Sequence, residues 1–316
     1  MKNKFLLFFA IIALIGFSTT ACGGGDFPLG EDHPPDGDFP PGGDPPPGDN
    51  GGPCAAGHDF QYTSTTLPGC IEQGFDTYTC SRCANTEQWN SVAALGHHIV
   101  WVNGYTAITD NKCDRSGCTH IAALGDPGPG GGFIFYIATA GFNLLTGTTV
   151  ADTSFVRAHY LEAAPRGWYP STAPNDPYLV WAPYSSPATG AYALVSGTSE
   201  AIGAGRKNTA LIYNQAGGDR SVTAPAANAC RVYATASAAA GQWFLPSRNE
   251  LAQLYNFHVA AKAGSYPSLT TGLIDYRYWS SSQHDSLSAW CRNFSDGIHG
   301  SLNKIGTPNV RAVRAF

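Results

Sequence analysis

The chain has 316 residues, 43% of them apolar, and a formal charge of −5 that is unevenly spread. From residue 126 onward thirteen Lys and Arg stand against ten Asp and Glu, a net +3, which is too weak a bias for nucleic-acid recognition. It permits contact with an acidic polysaccharide without demanding it.

Residues 1–21 read as a secretory signal: Lys2 and Lys4, an apolar run from Phe5 to Phe17 too short for a comfortable membrane span, then small residues. Cys22 follows directly and resembles the cysteine of a relaxed bacterial lipobox, with Thr19 where leucine is usual. Cys22 is therefore the expected lipidation site, and the membrane is an expected partner through that anchor. Cleavage removes two lysines and moves the charge from −5 to −7. Residues 22–53 are the lipidated N-terminus and a tether. Between 23 and 53 there are seven acids and no Lys or Arg among Gly and Pro, so no core can form. Gly and Pro break the carboxylates into irregular spacings that match no calcium loop.

Residues 54–125 form a Cys-rich module of two units holding six of the nine cysteines. Gly57-His58, Cys80-x-x-Cys83 and Ala93-Ala94-Leu95-Gly96-His97 recur as Gly96-His97, Cys113-x4-Cys118 and Ala122-Ala123-Leu124-Gly125-Asp126. Units this small bury too little apolar surface to stand alone, so a staple is expected. One reading is structural zinc, with His58, Cys80, Cys83 and His97 around one ion and His98, Cys113, Cys118 and His120 around a second. Cys54 and Cys70, without counterparts in the second unit, then pair as a disulfide. The other reading is disulfides throughout, suited to an extracytoplasmic compartment. The residues leave both open, and four protein ligands leave no open position for catalysis, so no catalytic cofactor is expected.

In residues 126–316, Phe133 to Ile137 and Tyr160 to Ala164 read as strands, the second ended by Pro165. Asn208 to Gln215 and Ala226 to Thr235 have helical spacing. Trp243 to Leu245 is strand-like and leads into a capping box, Ser247 with Glu250, ahead of a helix over Leu251 to Phe257. After that only strand signals remain, with a tight turn at Asp296-Gly297, ending in Val310 to Phe316. The class is α+β: two or three helices against an interrupted antiparallel sheet.

The motifs GPGGGFIFY, YLEAAP, AIGAGRKNTALI, AANACRVY, WFLPSRNEL, YWSSS, AWCRNFSDG and VRAVRAF, in this order, resemble the Lcl C-terminal domain family, bacterial surface domains named after a collagen-like adhesin. The resemblance spans nearly all of residues 126–316. It implies a C-type-lectin-like fold of the kind shared with formylglycine-generating enzymes, with N- and C-terminal strands brought together, and binding of glycans or other surface molecules. The segment from Tyr278 to Phe316 also resembles the variable region of a diversity-generating retroelement target. Such diversification rewrites AAC or AAT codons, and every residue from His284 to Ser288, Ile298 to Asn303 and Ile305 to Asn309 is one those codons can yield, whereas Gln283 is not.

A fixed aromatic and arginine frame alternates there with runs of neither helical nor strand period, the arrangement of recognition loops on a rigid support. The expected binding residues are His284, Asp285, Ser286, Leu287 and Ser288, then Arg292, then Ile298, His299, Gly300, Ser301 and Leu302, and finally Ile305, Gly306, Thr307 and Pro308. Trp290, Phe294, Val310, Val313 and Phe316 supply apolar content to bury, so these runs are expected on one exposed surface facing a protein or glycan ligand. The functional expectation is a lipid-anchored protein of the outer cell surface that binds such a ligand and is not an enzyme. An extracytoplasmic enzyme or a structural envelope protein on the same fold is the alternative. Gly203 to Thr209 fails as a phosphate loop, since Gly-Lys-Ser/Thr is absent and no apolar strand precedes it. Cys230 and Cys291 match no catalytic motif, and the ligand triplets of calcium-dependent sugar-binding lectins are missing.

Overall fold

The computed structural model describes residues 54, 57–102, 108–183, 193–266 and 269–316; the expected signal, Cys22 and the tether lie outside the described residues. The described residues divide into two compact units, one with 54, 57–62 and 78–87, the other with 63–77 and the remainder to 316. No described helix is long and apolar enough to cross a membrane.

Toward the N-terminus the strands β1 (Phe60–Thr66), β2 (Gly74–Cys80) and β3 (Thr86–Val92) form a sheet in that order. Their Thr-rich sequences suit extended backbone. Almost every side chain of β1 and β3 is exposed, so the sheet builds no apolar core of its own. Two short strands, β4 (Ile99–Val100) and β5 (Lys112–Cys113), pair antiparallel.

The rest of the chain runs β6 (Phe133–Leu145), β7 (Phe155–Ala163), α1 (Gly205–Ala216), α2 (Arg220–Thr223), α3 (Pro225–Val232), α4 (Arg248–Lys262), β8 (Arg277–Gln283), β9 (Ser288–Asn293), β10 (His299–Asn303) and β11 (Val313–Ala315). The last strand returns to β7, so one sheet has the order β11-β7-β6 and draws the two ends of the domain together at Ala163, which faces both Val313 and Phe133. A second antiparallel sheet has the order β10-β9-β8. The fold class is mixed α and β, built on several small antiparallel sheets.

The described residues bury three apolar clusters, a small one of Ala122, Ile134 and Tyr160 and two large ones. One gathers Trp168, Trp181, Ile212, Trp243 and Trp279. The other gathers Phe133, Leu161, Phe244, Leu254, Phe294 and Val313. A buried ion pair ties distant segments: Arg311 donates from Nε and Nη2 to the two oxygens of Asp176 at 2.7 and 2.9 Å, both side chains being at most 1% exposed. Trp168 and Tyr278 donate to the same carboxylate at 2.7 and 2.9 Å, which satisfies a charge that would be costly to bury alone.

The capping box forms as expected: Glu250 N–H donates to the Ser247 hydroxyl and Ser247 N–H to the Glu250 carboxylate, at 3.3 and 2.7 Å. Three element expectations change. Trp243 to Leu245 makes no strand, only a bridge from Phe244 to Val313. The helix from Pro225 stops at Val232, because Tyr233 turns extended at φ −61°, ψ 136°. The closing strand is limited to Val313–Ala315, since Arg311 is drawn into its ion pair with Asp176.

Candidate functional site

Eight of the described cysteines and histidines gather into two groups of four. Cys54, His58, Cys80 and Cys83 form the first, and Cys70, His97, Cys113 and Cys118 the second; in each, the four ligand atoms lie within 4.8 Å of one another. In the first group the Cys54 and Cys80 sulfurs are 3.4 Å apart, and His58 Nδ1 is 3.2 Å from Cys83 Sγ. In the second the Cys70 and Cys113 sulfurs are 3.7 Å apart, and His97 Nδ1 is 3.4 Å from Cys118 Sγ. A disulfide needs about 2.05 Å. Four ligands about 2.0–2.3 Å from one central ion stand about 3.3–3.8 Å from each other, so the donor set and its spacing fit a closed tetrahedral metal site.

The grouping differs from the expected one. His97 joins Cys113 and Cys118 rather than Cys80 and Cys83, and Cys54 and Cys70 each enter a cluster instead of facing each other. His98 turns to Asp114 at 2.8 Å. His120 meets Asp126 at 2.7 Å and stacks on the His97 ring at 3.6 Å, supporting a ligand without being one. The repeat carried this signal: Gly57-His58 and Gly96-His97 are equivalent positions, and each is followed by its own cysteine pair, Cys80 with Cys83 and Cys113 with Cys118. Within each cluster the thiols differ. Burial, with the neighbouring thiols, pushes Cys54 and Cys70 up to about 12. Burial opposes ionisation of Cys80 and Cys113 too, but backbone N–H groups around Arg82 and Asp59, and around Arg115 and His98, bring them down to about 5 and about 6.

The second arrangement is built on the β8–β10 sheet. The register pairs His299 with Arg292, Ser301 with Trp290 and Asn303 with Ser288, alternating with Gly300 opposite Cys291 and Leu302 opposite Ala289. Cys291, Ala289 and Leu302 face the apolar core, so period-2 alternation places Arg292, Trp290, His299 and Ser301 on the other face. The start of α4 adds to that face: the Arg248 guanidinium lies over the Trp290 ring at 3.9 Å while its Nη1 donates to Glu200 at 2.6 Å. The His284 ring meets the same indole edge-on at 4.6 Å. Arg292 stacks on Tyr255 at 4.5 Å and lies 3.2 Å from His299 Nδ1. Burial, then the charges of Arg248 and Arg292, lower the affinity of His299 for a proton.

Two aspartates shape the loops. Partial burial works against the Asp285 charge, but bonds from Ser288, Leu287 and His284 hold its carboxyl down at about 2. Asp296 accepts from Ile298 N–H at 2.9 Å, and Gly297, at φ +77°, completes the turn where a Cβ would lie 2.5 Å from the Tyr255 hydroxyl. Of the sequence-predicted residues, His284, Asp285, Ser286, Leu287, Ile298, His299, Ser301 and Thr307 are exposed, and Arg292, Gly300, Leu302, Ile305 and Gly306 are half-buried. Ser288 and Pro308 are buried. The third run sits on the turn after β10, beside the 179–182 segment, through Leu179 N–H to the Pro308 carbonyl at 3.3 Å.

Sequence reasoning missed Arg248, Tyr255 and Glu200, which reach this face from distant segments. It also missed Lys304, whose chain lies inside the protein with Nζ 5.0 Å from the Trp181 ring; burial lowers it to about 8. Trp290, expected in the core, is only half-buried because its ring belongs to the α4 face, whereas Trp279 is fully buried.

Residues 175–314 match the Lcl C-terminal domain family. No curated protein matches the chain. Among solved structures, a fimbrial protein from Bacteroides ovatus ATCC 8483 is 13% identical over 79% of this chain and 58% of that one, with a TM-score of 0.35, below that of a shared fold.

Proposed function

We propose that the protein is a bacterial surface protein, anchored through lipidated Cys22, that binds a protein or glycan ligand with the β8–β10 face of its Lcl C-terminal domain. One observation carries this reading: two separate variable-looking runs, His284 to Leu287 and Ile298 to Ser301, flank one half-buried indole, Trp290, itself stacked under Arg248. A tryptophan with one wet side and a fixed cation suits contact with either ligand class. Binding rather than catalysis is favoured because burial pushes the thiols of Cys230 and Cys291 up, while Glu162 and Glu250 spend their oxygens on backbone N–H groups. The Lcl resemblance supports a C-type-lectin-like reading of the domain, and the runs themselves support diversification, for which a near-repeat of codons 278–316 beside a reverse transcriptase gene is the expected genomic sign. Zinc is the proposed occupant of both Cys3His clusters.

The test uses the full chain on panels of immobilised glycans and extracellular-matrix proteins. Ser301→Arg and Leu287→Asp, both at exposed positions, are expected to weaken wild-type binding tenfold or more at unchanged melting temperature. No binding to either panel, or equal binding by both variants, contradicts the assignment. Replacing Cys22 with Ser is expected to release the protein from the membrane fraction; continued sedimentation with membranes contradicts the anchor.

A further inference from the structure

A cavity of about 360 Å³ opens on the side of α1 and α3, lined among others by Thr146, Thr148, Arg206, Ala210, Arg231 and Gln242. It belongs to no site described above. Arg206 stands in the first turn of α1, with Ala210 one turn further along the same face, and Arg231 stands in the last turn of α3. Two arginines therefore border one space, and no acidic residue lines it. Among the described residues neither forms an ion pair; Arg231 only stacks on Tyr213 at 4.8 Å, whose ring also carries Arg220 at 5.1 Å. Three other half-buried or buried arginines are neutralised, Arg248 by Glu200, Arg311 by Asp176 and Arg314 by Glu162, whereas Arg220 and Arg292, also half-buried, form no ion pair among the described residues. Burial, and then the charge of Arg231, work against the Arg206 cation, so the pair stands at an electrostatic cost that an anion would relieve.

The glycine-rich stretch before Arg206 is not the anion holder. The N–H of Gly203 is taken by Glu250 at 2.8 Å, and Lys207 turns away to the carbonyls of Val150 and Asp152 at 3.1 and 2.6 Å. That leaves the arginine side chains, whose planar forks match tetrahedral oxyanions. Two uncompensated charges match a phosphate monoester, which carries about −1.5 to −2 at neutral pH. The Thr hydroxyls and the Gln242 amide suit a small polar remainder, and the volume lies at the low end for small-molecule sites.

We propose that this cavity binds a small phosphate monoester, with the phosphate between Arg206 and Arg231. Calorimetry on the full chain with glucose 6-phosphate and glucose 6-sulfate, which differ by about one charge at similar shape, tests it. The phosphate is expected to bind at least tenfold more tightly, and Arg206→Gln and Arg231→Gln are each expected to weaken it at least tenfold at unchanged fold by circular dichroism. Arg206→Lys, which keeps the charge and loses the fork, is expected to fall between. Equal affinity for the two sugars, no binding of either, or binding indifferent to Arg206→Gln and Arg231→Gln would overturn the proposal. Inorganic phosphate binding as tightly as the ester would also overturn it, as an adventitious ion only. Ser301→Arg, in β10 and outside the cavity lining, is expected to leave this binding unchanged.

Discussion

Strands β1 and β3 bury almost nothing, while β7 buries Ala158 and the run from Tyr160 to Ala163, and β8 the run from Tyr278 to Ser282. The same kind of extended backbone is thus held in two ways. Around β7 and β8, apolar side chains removed from water do the work at about 25 cal/mol per Å². Around β1–β3 there is no such area to remove, and what remains are two sets of three cysteines and one histidine. A polar, Thr-rich segment can afford this only if its cross-links are strong, which the net energy of a surface sheet is not.

The largest expected effect follows from that difference. Removing metal with a strong chelator should abolish amide-exchange protection in 74–80, because structural zinc contributes on the order of 10 kcal/mol to small folds, and leave 155–163 protected. Protection unchanged in both segments breaks the contrast. The next effect belongs to the cored part. Arg311→Met leaves Asp176 as an uncompensated buried carboxylate and should cost about 3–5 kcal/mol in urea unfolding, without altering metal content. Joining it to Asp176→Leu should cost less than the sum of the two single changes.

The indoles sharpen the comparison within the domain. Trp279 is fully buried, with its N–H donating to the Leu179 carbonyl at 2.9 Å, so Trp279→Ala should cost about 3–5 kcal/mol. Trp290→Ala should cost about half that, because one side of the ring is wet, yet it should lose ligand binding. Equal costs for the two would mean that Trp290 is a core residue rather than part of a binding face.

The smallest effect is one of pH. Burial raises Glu250 from its usual 4.5 to about 7, against the pull of N–H groups from Ser247, Gly203 and Gly205. A carboxyl raised in the folded state gives stability that is complete below pH 4.5 and is lost as pH rises through about 7. Wild type should therefore lose stability across that window relative to Glu250→Gln, and parallel melting curves would refute the shift.

How much of this could be read in the sequence depended on whether the signal was local. The capping box at Ser247 and Glu250 spans four residues and was legible; so was the strand beginning at Phe133. Its continuation to Leu145 was not, because shifts of register between Ile134 and Tyr136, and between Ile137 and Phe142, break the alternation. The Cys/His clusters were half legible. The residue types were evident, but dividing them by sequence proximity put His97 in the wrong group, where the internal repeat would have put it in the right one. The runs proposed to bind were legible as irregular segments, whereas Arg248 over Trp290 and Asp176 under Arg311 join positions far apart in the chain, and no local pattern announces either.

Native mass spectrometry of the full chain, purified without added metal or chelator, tests the central contrast most directly. Two zinc ions per chain are predicted, with Cys80→Ser losing one and Cys113→Ser the other. A metal-free chain whose mass shows the thiol hydrogens missing would mean that disulfides hold this region, and the account of two tetrahedral clusters in place of a core would be wrong.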